Sequence, residues 1–168
     1  DQDRRQLLTR AINALFLADS IGQAMQQGFA FFNQWDLTNG CASNRTCYDL
    51  LVDGKKWRRS PQYWTFPLWA AFGNDLLPAT SDADAAAELG IYAGRIDADT
   101  LALLVVNKTG EPADASVTLA SGAAVGSGTV DVAQARKLKA KRMKLNGDGT
   151  PADDLADAPP APLVSVGT

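Results

Sequence analysis

The chain has 168 residues, enough for one domain, or for one small domain with part of a second. Its 46% apolar and 21% charged residues are typical of a globular chain with a buried core, and no apolar run approaches the roughly 20 residues of a membrane helix. A net charge of −3 and a pI of about 4.8 argue against wholesale binding of nucleic acid.

The first predicted element is an amphipathic helix over Arg4 to Gln27. Apolar residues recur in it at helical spacing, namely Leu8, Ala11, Ile12, Leu15, Ala18 and Met25. Gly28 suits the left-handed conformation that ends many helices. We therefore expect the helix to end at Gly28 and to lead directly into the next segment.

That segment, Phe29 to Leu37, reads Phe-Ala-Phe-Phe-Asn-Gln-Trp-Asp-Leu and lies between Gly28 and Gly40. A short apolar run between glycines predicts a strand buried on both faces, as in a parallel sheet. A helix, a short turn and a buried strand in this order form half of a βαβ unit. In α/β barrels the carboxyl end of such a strand faces the ligand, which draws attention to Trp35 and Asp36.

The following loop contains the only cysteines, Cys41 and Cys47. Their spacing suits a small disulfide loop, which would indicate an oxidising compartment; two free thiols are the alternative. The chain has no histidine, and two cysteines alone supply too few ligands for a metal site. We expect no metal and no other cofactor.

Ser60 and Pro61 predict the start of a second helix, with Ser60 as its N-cap. This aromatic-rich helix should extend over Gln62 to Phe72, with a kink at Pro67 and an end at Gly73.

Beyond Leu76 the periodicity becomes that of strands. We predict them at Leu89–Ile96, Thr100–Asn107, Ala115–Leu119, Gly128–Val132 and Ala140–Leu145. Short strands at a spacing of roughly 8–12 residues indicate an antiparallel sandwich or barrel. We divide the chain into residues 1–76 and residues 77–168, and we expect the second part to be incomplete.

Three segments, in this order, resemble the C-terminal part of clan A glycoside hydrolases. They are Leu15-Phe-Leu-Ala-Asp-Ser-Ile-Gly-Gln, Phe29–Leu37 with its Gln-Trp-Asp ending, and Ser60-Pro-Gln-Tyr-Trp-Thr-Phe-Pro-Leu-Trp-Ala-Ala-Phe-Gly-Asn. The likeness is nearest to α-L-arabinofuranosidases, β-xylosidases and bacterial endoglucanases, whose last barrel helix leads into a β-sandwich. Leu101 to Thr109, with its Val-Asn-Lys core, resembles a strand of that sandwich.

The resemblance implies an α/β plus all-β architecture. Residues 1–76 would be the terminal part of a (β/α)8 TIM barrel, namely its seventh helix, eighth strand and eighth helix, and residues 77–168 would form most of an antiparallel β-sandwich. It also implies a secreted enzyme that hydrolyses glycosidic bonds of polysaccharides or oligosaccharides with retention of configuration.

Retaining glycosidases need two carboxylates about 5–5.5 Å apart. The resemblance places them at the ends of the fourth and seventh barrel strands, upstream of Asp1. We therefore expect no catalytic residue in this chain. Because one strand and two helices cannot close a barrel, we expect the N-terminal barrel portion as a partner, on a separate chain or a missing segment.

The resemblance makes Trp35 a candidate sugar platform, and ordinary core packing is the alternative. Asn33 has the same strand parity as Trp35 and could donate a hydrogen bond to a sugar hydroxyl. Asp36 should face away from them, as a structural acceptor. Trp57, with Arg58 and Arg59 in a basic loop, could line a distal subsite or contact an acidic substrate; a solvated loop with one packed tryptophan is the alternative.

Arg136 to Lys144 contains six positive charges in nine residues. It lacks the interleaved aromatics of a nucleic-acid patch, so we expect a solvated strand paired with the acidic loop around Asp153. Contact with an anionic polysaccharide is the alternative.

Two other classes of function remain open. A non-catalytic carbohydrate-binding or structural β-sandwich module would bind sugar after Leu89, where Tyr92 is the only aromatic residue and too little for a stacking platform. A structural interaction domain held by the aromatic-rich helix is the third possibility.

Overall fold

The computed structural model describes residues 6–38, 40, 47–52 and 57–163. Within these residues it contains two α-helices, two 3-10 turns and nine short strands, which pair in four antiparallel sheets.

Helix α1 (Ala11–Gln26) follows a 3-10 turn at Leu7–Thr9. It ends as predicted: Gly28 is left-handed with φ of 74°, and the N–H groups of Gly28 and Phe29 donate to the carbonyls of Met25 and Ala24, each at 3.0 Å. These two bonds form a Schellman motif, which satisfies the last carbonyls of the helix. The start lies later than predicted, because Arg10 has an extended backbone.

The predicted strand Phe29–Leu37 is wrong for this chain, since the segment is irregular. A parallel strand requires neighbouring strands, and no described strand pairs with it. Its end is held instead by two bonds, from the N–H of Leu50 to the carbonyl of Asp36 at 3.1 Å and from the N–H of Leu51 to that of Leu37 at 2.9 Å.

Strands β1 (Leu51–Val52) and β2 (Arg58–Arg59) pair antiparallel and precede the second helical region. That region is a 3-10 turn, Pro61–Trp64, followed by α2 (Thr65–Ala70), and not the single helix predicted over Gln62–Phe72.

Pro67 explains this division, because it has no N–H to bond the carbonyl of Tyr63 in an α-helical turn. Ser60 occupies the N-cap position, but its side chain makes no capping hydrogen bond. Gly73, with φ of 89°, follows the end of the helix as predicted.

The main sheet has the order β3-β4-β5 with antiparallel neighbours. Its strands are β3 (Asp75–Leu77), β4 (Leu89–Arg95) and β5 (Leu101–Asn107). The strands predicted at Leu89–Ile96 and Thr100–Asn107 are confirmed as β4 and β5, which form an antiparallel hairpin. Strand β3 has no counterpart among the predicted strands.

Four shorter strands follow within the described residues: β6 (Thr129–Val130), β7 (Ala133–Gln134), β8 (Lys144–Leu145) and β9 (Ala161–Pro162). β6 pairs with β9, and β7 with β8. The predicted strand Ala115–Leu119 is wrong, since the segment is irregular. The described residues establish neither a (β/α)8 barrel nor a β-sandwich.

Two buried clusters hold these elements together. The first joins Ala11 and Ala14 of α1 to Trp64, Met143 and Leu145. The second joins Phe72, Tyr92 and Val106 under the same helix, with Leu15, Ala18, Met25 and Trp69 around them. Both clusters combine residues from before and after position 76, so the proposed domain division remains a prediction.

Candidate functional site

Trp35 is the most exposed tryptophan in the described part of the chain, at 70%. It lies in an exposed apolar segment that also contains Phe29, Phe31, Phe32 and Leu37. The Trp35–Asp36 peptide bond is cis, and the side-chain amide of Gln34 donates to the Trp35 carbonyl at 2.7 Å. The indole is therefore presented to solvent and is not packed in a core.

Asp36 lies beside a second acidic residue, Asp49. The Asp36 side chain is half-buried and Asp49 is 0% exposed. Burial, and then the nearby charge of Asp49, raise the pKa of the Asp36 carboxyl. Its buried Oδ1 accepts no hydrogen bond from the described residues, so the acceptor role that we expected is not seen for this atom.

Gln62 positions the segment that carries Asp49. It is 1% exposed, and its amide nitrogen donates to the carbonyl of Asp49 at 3.0 Å and to that of Tyr48. Its amide oxygen accepts from Nδ2 of Asn13 on α1. Sequence analysis missed this role, because a glutamine in the first turn of a helix has the pattern of a surface residue.

Trp57 lies at a different place, in an open depression of about 550 Å³. The described residues that line it are Thr38, Leu51, Trp57, Arg59, Tyr63 and Asp153. Trp57 is 55% exposed and has a left-handed backbone with φ of 41°. Trp35 is not among these residues, so the structure does not join the two predicted tryptophans in one pocket.

Arg59 forms the polar wall of this depression. Its guanidinium lies 5.2 Å from the ring centre of Trp64 and 5.4 Å from that of Tyr63, and it is ion-paired with Asp153. It also donates to the carbonyl of Pro151 at 2.6 Å. Its guanidinium is thus held by an ion pair, a carbonyl and two aromatic rings, an arrangement suited to hydrogen bonds with a polar ligand.

The remaining predicted site residues have weaker structural support. Asn33 is exposed, and its side chain makes no hydrogen bond with the described residues. Cys47 is 4% exposed, and Cys41 lies outside the described residues, so the Cys41–Cys47 disulfide stays a prediction.

In the part of the chain that the structure describes, no three His, Cys, Asp or Glu side chains are grouped as metal ligands, and no helix is long and apolar enough to cross a membrane. In comparisons with known proteins, the chain matches no family model, no curated protein and no solved structure.

Proposed function

We propose that this chain is the C-terminal portion of a secreted glycoside hydrolase that cleaves polysaccharide or oligosaccharide bonds with retention of configuration. In this proposal the chain supplies a wall of the sugar subsite, and the catalytic carboxylates belong to the N-terminal barrel portion. The observation that carries the proposal is the exposed indole of Trp35, because a flat aromatic face with one polar edge fits the apolar face of a sugar ring.

The apolar surface around Trp35 supports the assignment to a larger assembly. Phe29, Phe31, Phe32 and Leu37 of the same segment are exposed, with Phe31 at 77%, and Ile12 and Phe16 are exposed on helix α1. A run of exposed apolar side chains such as Phe29–Leu37 marks a site of interaction with another protein surface. In the proposed enzyme the rest of the barrel covers the phenylalanines and leaves Trp35 facing the sugar.

Trp57 fits a second, distal subsite. It offers an aromatic face beside the paired side chains of Arg59 and Asp153, which can donate and accept hydrogen bonds. Asn33 could add a hydrogen bond near Trp35, two residues away on the same segment.

The alternative, a β-sandwich module that binds sugar by itself, has less support. Its one aromatic residue, Tyr92, is 3% exposed, and its hydroxyl donates to the carboxylate of Asp19 at 2.7 Å. This ring is therefore not accessible to a sugar.

The test is calorimetric titration of the 168-residue chain with neutral arabino-, xylo- and cello-oligosaccharides. We expect at least one series to bind, and Trp35→Ala to weaken that binding by about fivefold or more, which corresponds to about 1 kcal/mol. Phe16→Ala is the matched control, since it removes another exposed aromatic ring and should leave the affinity unchanged. Unchanged affinity in Trp35→Ala, or binding of none of these sugars, would contradict the proposal.

A further inference from the structure

Three arginines from separate parts of the chain meet at the basic run of residues 136–144, where two of them donate to its backbone carbonyls. Arg10 precedes α1, Arg58 belongs to β2, and Arg142 belongs to the basic run at residues 136–144. The N–H groups of Ala11 and Ile12 donate to the carbonyls of Ala140 and Leu138 at 3.0 and 2.9 Å, so the start of α1 is fixed against this run.

Backbone carbonyls of the basic run orient two of the guanidinium groups. Arg10 Nη1 donates to the carbonyl of Lys139 at 3.2 Å, and Arg58 Nη1 donates to that of Lys141 at 2.8 Å. A guanidinium has five N–H donors, so most of them stay available to a ligand. Arg10 and Arg58 are half-buried and Arg142 is exposed, which leaves the group accessible.

These charges are not balanced by acidic side chains in the described part of the chain. Its two ion pairs are Arg59–Asp153 and Lys108–Asp19, so the pairing expected between the basic run and the acidic loop is not seen there. Burial, and then the nearby charges of Arg142 and Arg10, lower the pKa of the Arg58 guanidinium. A bound anion would offset these two like charges beside Arg58.

We propose that Arg10, Arg58 and Arg142 form a binding site for a carboxylate group of an acidic glycan. Guanidinium groups match the two oxygens of a carboxylate with paired hydrogen bonds. The site is distinct from the Trp57 depression, because successive strand residues point to opposite sides and Arg59, not Arg58, faces that depression.

The choice of a glycan rests on the proposed function, whereas the anion site rests on the arginines alone. Nucleic acid fits less well, because the chain has a net charge of −3 and the basic run contains no aromatic residue for base stacking. The arginine site would thus bind a substrate that carries uronic acid residues, and it would do so away from the neutral subsites at Trp35 and Trp57.

The test compares three probes by calorimetry at low salt: tetragalacturonate, neutral xylotetraose and a single-stranded oligonucleotide. We expect Arg142→Gln to weaken tetragalacturonate binding by about fivefold or more and to leave xylotetraose binding unchanged. Lys137→Gln is the matched control, because it removes the same charge from the same run at a position outside the arginine group. It should weaken tetragalacturonate binding by less than about twofold.

If Arg142→Gln and Lys137→Gln lost equal affinity for tetragalacturonate, the anion would bind a diffuse basic surface, and the proposed site would be overturned. Absence of tetragalacturonate binding would overturn it too, and tighter binding of the oligonucleotide would overturn the choice of a glycan. If tetragalacturonate binds through Arg142 while no neutral sugar binds, the anion site stands and the neutral subsite at Trp35 is the part that fails.

Discussion

At the scale of single residues, the adjacent side chains of Trp35 and Asp36 lie in different environments. The indole faces solvent, whereas the carboxylate turns inward beside Asp49 and leaves its Oδ1 without a hydrogen bond from the described residues. A carboxylate in such a place costs stability when it is ionised, because it is partly desolvated and lies near another acidic group. The residue that we propose binds sugar therefore lies next to one that weakens the fold.

This arrangement predicts that Asp36→Asn raises the free energy of unfolding at pH 7. The pKa of Asp36 is raised in the folded chain, so the protonated carboxyl contributes fully to the free energy of unfolding below the ordinary aspartate pKa. The wild type loses this contribution as the pH rises through the pKa of the folded chain. The variant should thus be more stable than the wild type at pH 7, and the difference should disappear near pH 3. Urea unfolding at both pH values measures it.

Asp97→Asn provides a control of opposite sign. Hydrogen bonds from Thr100 and from the N–H of Asp99 lower the pKa of Asp97, so the wild type gains stability as the pH rises towards the ordinary aspartate pKa. The Asn variant lacks this gain and should therefore be less stable than the wild type at pH 7. If Asp36→Asn raised the free energy of unfolding equally at pH 3 and pH 7, the charge on Asp36 would not be the cause of the added stability.

At the scale of elements, the packing of α1 on the main sheet depends on close approach at Gly22. A Cβ at this position would lie 2.3 Å from the ring of Tyr92, so only glycine lets the helix lie this close to β4. The same ring anchors the contact, because the Tyr92 hydroxyl and the Lys108 ammonium both bind the Asp19 carboxylate.

We therefore predict that Gly22→Ala destabilises the chain, although alanine is the better helix former. Overpacking at such a contact typically costs about 1–3 kcal/mol, which exceeds the gain in helix propensity of about 1 kcal/mol. Gly110→Ala is the control, since a Cβ there meets no atom within 4 Å. Denaturant unfolding measures both variants, and a Gly22→Ala chain as stable as the wild type would contradict the packing argument.

At the scale of the whole molecule, much apolar surface is left uncovered. The segment Phe29–Leu37 is exposed along most of its length, and on strand β5 the side chains of Leu101, Leu103 and Val105 face solvent while the alternate residues face inward. A sheet that is apolar on both faces is typical of a structure that packs a further layer, such as a sandwich. The described residues do not supply that layer.

This surface predicts that the isolated 168-residue chain binds a hydrophobic dye and associates as its concentration rises. Phe31→Ser, in the most exposed part of the apolar segment, should reduce both effects. Val125→Ser, which removes a separate exposed apolar side chain, should have little effect. Dye fluorescence and sedimentation velocity measure these effects, and a wild-type chain that is monomeric and binds no dye would contradict the prediction.

Local sequence alone determined the end of α1 at Gly28 and the hairpin of β4 and β5. Both depend on contacts between near neighbours, namely a left-handed glycine after an amphipathic helix and two alternating runs that flank the turn at Asp97–Asp99. The same local rules were insufficient for Phe29–Leu37 and Ala115–Leu119, because a strand exists only where another strand satisfies its backbone, and none of the described strands does so.

Tertiary structure alone decided which polar side chains meet. Asp36 and Asp49 are brought together by the bonds that hold residues 36–37 to residues 50–51, and Arg10, Arg58 and Arg142 come from sites far apart in the chain. The sequence singled out Trp35 as an aromatic residue at the end of an apolar run. Its exposure was decided by the fold, because the described residues leave most of this segment uncovered.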